Sequence, residues 1–248
     1  MDDILSCIFT HLSLGNIKSC LLTSKQFHRV ASDNSHWRDL IYMTTDILPN
    51  TCKTRYKQYY ILSNFLSRKT QRTINHCIDS ANLHLLGKHL TYLPKEIHIL
   101  TNLKNINLEK NLLSSLPNSF VSLTNLQTLT LNINRFVEFP VEIFSLTNLQ
   151  FLELDNNQLS ILPSNVSSLT NLRLFSLDDN KLRLLPIEIT FLTNLHTLCL
   201  HDNILESLPY EITSLQHLTI DIDKTQKKFM NNIPKNIKHM FCYNPCRS

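Results

Sequence analysis

From about residue 80 the chain sets leucines against polar residues on a fixed beat. The stretch LTNLQTLTLNINRFVEFP, Leu123 to Pro140, returns 23 residues later as LTNLQFLELDNNQLSILP. Pro recurs at 94, 117, 140, 163, 186 and 209, each time preceded by Leu or Phe. Repeats counted from Leu103, Leu126, Leu149, Leu172 and Leu195 carry two further apolar residues, as at Leu129 and Leu131. Asn follows three residues later, at Asn111, Asn134, Asn157, Asn180 and Asn203. Apolar residues two apart mark a short strand with one buried face. Asn suits the turn that comes next, because its amide bonds backbone groups that the turn leaves unpaired. After each Pro, apolar residues such as Ile143 and Leu146 predict a short helical or 3₁₀ segment packed on the strand layer. One unit cannot bury this many leucines by itself. Stacked units can, so the pattern predicts a parallel sheet along one side of a curved solenoid.

These residues resemble the leucine-rich repeat family, with consensus LxxLxLxxNxL and the LPxEIxxLTNL tail of one subclass. The resemblance covers about residues 80–218, some six repeats. The first unit is imperfect, with Ser80 and Lys88 at framework positions. The last is degenerate: Leu218 leads into TIDIDKTQKKF, and the next Pro comes late, at Pro234. Atypical ends are what capping requires. The implied fold class is an α/β solenoid, a horseshoe of short parallel strands and 3₁₀ or helical segments. Residues 219–248 form its degenerate last repeat or C-terminal cap.

The first 45 residues carry a helical pattern instead. Ile4, Leu5, Ile8, Phe9 and Leu12 form one stripe, SLGN interrupts it, and Ile17, Leu21 and Leu22 form the next element. Ser24 is a natural N-cap for a third, and Trp37 is the sole Trp. A helical cap on the solenoid is the plain reading of these stripes. The order ILSCIFTHL, NIKSCLLTSKQF, VASD, HW also resembles the F-box, over residues 2–41. Met1 stands for that family's leading Leu-Pro, Asn16 for its usual Asp and Phe27 for its usual Trp. The resemblance implies a small all-α domain that docks on the Skp-family adaptor of an SCF-type cullin–RING ubiquitin ligase. The C-terminal repeats then hold the target protein. The adaptor-binding role falls on Ile4, Leu5, Ile8, Phe9, Leu12, Ile17, Leu22, Lys25, Phe27 and Trp37. Some of these build the F-box's own core, and the sequence does not separate the two sets.

Residues 46–79 join the two parts. Thr51 can start a helix, and Tyr56, Tyr59, Tyr60, Leu62 and Phe65 supply apolar mass among Lys and Arg. A basic aromatic helix also suits RNA or a membrane surface. The preferred reading is a linker helix with its cations on the wet face.

Charge alternates along the chain: residues 1–45 are neutral, 46–79 carry +4, 80–218 carry −4 and 219–248 carry +4. The total of +4 therefore does not mark a uniformly nucleic-acid-binding protein. No apolar run approaches the length of a membrane span. The chain opens MDDILSCIF, with acid where a signal peptide carries positive charge, so no secretion signal is expected. Seven cysteines at irregular spacing suggest free thiols in a reducing compartment. A cytoplasmic location follows, in the host cell if the gene belongs to a pathogen or virus. Two glycines cannot make a phosphate loop, no HExxH or paired CxxC occurs, and Cys242 with Cys246 makes a poor zinc site. Cys199, His201 and Asp202 adjoin without evident oxyanion donors. No cofactor, metal or catalysis is expected. Leucine-rich repeat ligases that carry their own catalytic Cys place it in a large helical domain behind the repeats, whereas only about 30 residues follow Leu218 here.

Residues between the framework leucines point to the sheet's other face. Phe151 and Leu174 are apolar there, beside an expected acidic ridge of Glu153, Asp155, Asp178, Asp179 and Asp202, extended by Asp221 and Asp223, with His201 adjacent. Such a face favours a target segment in which Lys or Arg flanks a hydrophobe, and disfavours a phosphorylated one. The plain alternative is a solvated acidic face that keeps the sheet soluble. For the whole chain, the alternative to a ligase adaptor is a scaffold that recruits no ligase.

Overall fold

A computed structural model describes residues 80–222 and 238–240, together with 58, 61, 62, 64–70 and 77. The ten residues expected to bind the adaptor lie outside this set. The chain divides into two compact units, residues 1–79 and 80–248. In the first, residues 64–70 are helical, and Leu62 and Leu66 are fully buried. The Thr70 hydroxyl donates to the Leu66 carbonyl one turn back, at 2.8 Å.

The second unit is a parallel sheet of eight three-residue strands in chain order: β1 (Asn82–His84), β2 (Asn105–Asn107), β3 (Thr128–Thr130), β4 (Phe151–Glu153), β5 (Leu174–Ser176), β6 (Thr197–Cys199), β7 (Thr219–Asp221) and β8 (Lys238–Met240). Register advances by one repeat per strand, so Leu83, Ile106, Leu129, Leu152, Phe175 and Leu198 form one buried row. After β6 the beat breaks. Thr197 pairs with Thr219, and Thr219 with Lys238. The shorter steps are why the last repeat reads as degenerate, although its strand still joins the ladder.

Among the described residues six 3₁₀ helices form the opposite layer: η1 (Lys95–Ile99), η2 (Asn118–Ser122), η3 (Val141–Ser145), η4 (Ser164–Ser168), η5 (Ile187–Phe191) and η6 (Tyr210–Ser214). Each starts directly after a Pro, as the repeat predicts. Pro holds the extended backbone that leads in, and its carbonyl accepts the first helical bond, as from Ile143 N to Pro140 O at 3.1 Å. Ile97, Phe120, Ile143, Val166, Ile189 and Ile212 turn inward from these helices and are buried, as are the strand leucines. Phe enters the row where space allows. Phe139 stacks on Phe144 at 5.0 Å and meets the edge of Phe175 at 6.4 Å.

The framework asparagines do more than close their own turns. Asn157 Nδ2 donates to the carbonyls of Leu154 and Asp155 in its own repeat and to Leu131 in the preceding one. Its Oδ1 accepts from Phe136 N, also in the preceding repeat. Asn111, Asn134, Asn180 and Asn203 repeat the pattern and are buried with it. Lys88 fills this place in the first unit and supplies no such amide. Its own N–H is taken up by Asn111 Oδ1 at 3.0 Å. A second, exposed row runs along the outside, where Asn125, Asn148, Asn171 and Asn194 each donate to a Thr carbonyl of the repeat before.

Candidate interaction surface

The strand residues that turn away from the leucine core line the sheet's open face. Phe151 and Leu174 are register partners on β4 and β5. Phe151 is 38% exposed and Leu174 is half-buried. Thr128 and Thr197 flank the pair at the same register, on β3 and β6. The apolar pair is therefore presented at the middle of the sheet among short polar neighbours, as the alternation of the repeat predicts.

The acidic ridge needs correction. Asp155 is 7% exposed and Asp178 4%, so neither is a solvent-facing acid. Asp221 is buried as well, and Asp223 lies outside the described residues. Each strand stacks directly on the next, so a short side chain at the strand's end leans along the stack and bonds its neighbour's backbone. Asn132 Oδ1 accepts from Asp155 N at 2.7 Å, Asp155 Oδ1 from Asp178 N at 2.9 Å, and Asp178 Oδ1 from His201 N at 2.8 Å. Ser176 Oγ also donates to Asp155 Oδ1, at 2.5 Å. This row of hydrogen bonds knits β3 through β6 beyond the strand ladder itself.

Burial raises both carboxyls. Asp155 is pushed up to about 6, against the lowering effect of its hydrogen bonds from Ser176 and Asp178. Asp178 is pushed up to about 7 by burial, and then by the neighbouring charge of Asp155. Glu153 is half-buried, and burial raises it too, although Asn132 Nδ2 donates to its Oε2 at 2.8 Å. The acids left toward solvent are Asp179, half-buried, and Asp202, exposed. Both sit at the turn that follows a strand, with left-handed backbone at φ 52 and 50°. Asp202 Oδ2 meets His201 Nδ1 at 2.9 Å. The surface is thus an apolar pair near one end of the strands and an acidic rim near the other.

Sequence reasoning missed Asn132 and Ser176, which hold Glu153 and Asp155 in place. For Asn132 the signal was present in the column of residues 23 apart: Asn132, Asp155, Asp178 and His201 occupy one place in four consecutive repeats. The expectation of free thiols fails at Cys199, which is disulfide-bonded, while Cys77 keeps a buried thiol. Ligand atoms of Asp178, Cys199 and Asp221 lie within 4.8 Å of one another. A disulfide sulfur is not a thiolate, so this trio does not make a metal centre as it stands. No helix among the described residues is long and apolar enough to cross a membrane.

Comparison with known proteins adds to this picture. Residues 2–42 match the F-box-like family. A leucine-rich repeat protein of Leptospira interrogans is similar at 31% identity over 64% of this chain, with a TM-score of 0.46. The match spans 54% of that protein, about half its length. No curated protein matches the chain. The chain thus joins a segment similar to the F-box-like family, at residues 2–42, to a stack of leucine-bearing repeats that form a parallel sheet, the combination expected of an F-box/leucine-rich repeat protein.

Proposed function

We propose that this chain is a substrate-recognition adaptor of an SCF-type cullin–RING ubiquitin ligase, working without catalysis of its own. The F-box-like segment docks on a Skp-family adaptor, and the repeats hold a target protein on the open face of the sheet. The observation that carries the reading is the F-box-like match at residues 2–42 ahead of a repeat domain that presents an apolar pair. F-box domains generally bind Skp-type adaptors through helix packing, in which a few large apolar side chains supply most of the energy. Ile4, Leu5, Ile8, Phe9, Leu12, Ile17, Leu22, Lys25, Phe27 and Trp37 are the residues proposed for that contact.

On the target side, Phe151 and Leu174 are the proposed anchor. Glu153, Asp179, Asp202 and His201 are proposed to contribute the rim toward the other end of the strands, and Asp155 with Asp178 serves to hold the strands. An accessible acidic rim attracts a target segment that carries Lys or Arg near its hydrophobe. The reading is tested by co-expressing the full chain with a Skp-family adaptor. A stoichiometric complex is expected, lost in folded Ile8→Asp or Phe9→Asp variants. A folded natural chain that never retains the adaptor leaves only a scaffold.

A further inference from the structure

The cations of the repeat domain are not distributed as the rest of the chain would suggest. Residues 111–223 hold one lysine, Lys181, and three arginines, Arg135, Arg173 and Arg183, whereas the remaining residues hold 14 lysines and six arginines. The cation type changes from mostly lysine to mostly arginine over this stretch. Packing does not demand it. Arg135 and Lys181 occupy the same place, directly after the framework Asn, and both are exposed. Lys104 and Arg173 likewise share the place before the strand and are exposed. None of the three arginines is buried in a fork of acceptors that only a guanidinium satisfies. Arg183 merely approaches exposed Glu206 at 3.6 Å.

Resting on the ligase-adaptor reading, we infer that the target-presenting repeats are protected from the ligase's own chemistry by carrying their positive charge as arginine. Ubiquitin transfer forms an isopeptide bond between the ubiquitin carboxyl terminus and a lysine ε-amine, and releases the enzyme's thiol. A receptor's own amines are tethered to the ligase and compete with the target's at high effective concentration. Guanidinium keeps the charge that solubility and partner contacts need, yet it is no acceptor for this transfer. Residues 111–223 include β3 to β7 and both Phe151 and Leu174, the segment that would stand nearest a bound target.

The test reconstitutes ubiquitylation with the full chain, a Skp-family adaptor, the cullin–RING ligase and ubiquitin, without target. It compares the natural chain with the charge-preserving triple variant Arg135→Lys, Arg173→Lys, Arg183→Lys. Ubiquitin on each lysine is mapped by mass spectrometry. Within residues 111–223 the natural chain offers Lys181 alone, so its ubiquitin is expected there and on the lysines outside this stretch. The variant is expected to gain ubiquitin at the three new lysines, with a several-fold rise in self-modification and unchanged adaptor retention. If the adaptor is retained and the flanking lysines are modified while the new ones stay bare, this inference falls alone. If the natural chain does not retain the adaptor, the adaptor reading falls and takes this inference with it.

Discussion

Asn157 shows how much one side chain can carry in a stacked fold. Its amide meets four backbone groups, and two of them belong to the repeat before. Replacing it with Ala takes the acceptor from buried Phe136 N–H, whereas the three carbonyls keep a second donor: Leu131 O from Asn134, Leu154 O from Asn180 and Asp155 O from Ile133 N. An unsatisfied buried N–H costs about 1–3 kcal/mol, so Asn157→Ala, which also loses the amide's own bonds to the three carbonyls, is expected to destabilise by roughly 2 kcal/mol. Chemical denaturation reads this directly, and a loss no larger than that of an exposed Asn165→Ala control rejects the argument. Ile133 works in the opposite direction. It is exposed, β-branched and left-handed at φ 55°, in a place held elsewhere by Gly87, Lys110, Asn156, Asp179 and Asp202. Left-handed backbone costs an ordinary L-residue roughly 1–2 kcal/mol, and Asn tolerates it better. Ile133→Asn should therefore stabilise by about 1 kcal/mol, seen as a higher denaturation midpoint at constant slope. The sequence makes the Asn position plain, because it recurs. It does not tell that half of each amide's partners lie one repeat away, since periodicity names places and not the groups that stacking brings beside them.

The row from Asn132 to His201 is where reading by strand alternation goes astray. Alternation correctly sends Asp155 and Asp178 away from the leucine core. It says nothing of the neighbouring strands, which stand about 4.8 Å away on either side and enclose a short side chain that leans along the stack. Both carboxyls are raised above the ordinary Asp value near 3.8, to about 6 and about 7. The folded chain therefore binds more protons than the unfolded one across that interval. Their favourable contribution is complete below about pH 4 and is lost as pH rises through 6 and 7. Stability is expected to be higher at pH 5 than at pH 8, by something on the order of 2 kcal/mol for the coupled pair. Asn132 already performs the same backbone bond without charge, one and two repeats away. Asp178→Asn should keep the bond to His201 N, raise stability at pH 8 and flatten the pH profile. Thermal melts of both proteins between pH 5 and 8 decide it. A natural chain more stable at pH 8 contradicts the buried-acid account.

Each repeat contacts chiefly the ones beside it, so stability and recognition are built from local pieces and one face can be altered without unmaking the stack. The horseshoe, its strand places and its Pro-led helices were legible in the sequence, because each framework residue recurs for a packing reason. The apolar pair was legible too, since Phe151 and Leu174 break an otherwise polar column. Which acids reach solvent was not, because that depends on stacking and not on alternation. The proposed division of labour follows from this modularity. Phe151→Ala with Leu174→Ala removes apolar surface from the open face, and neither residue belongs to the buried leucine row. Truncating central interface anchors typically costs 2 kcal/mol or more, so target binding should weaken by about thirtyfold or beyond. Skp-adaptor retention should be untouched, because its proposed contacts all lie within residues 2–42. Ile8→Asp should do the reverse, losing the adaptor and keeping the target. The pair of variants is read by proximity labelling with proteasome activity blocked, followed by direct binding to the recovered target. Loss of both partners in either folded variant would mean that the two functions share a surface, and a target retained at full strength by the Phe151/Leu174 double variant would move recognition to another face of the solenoid.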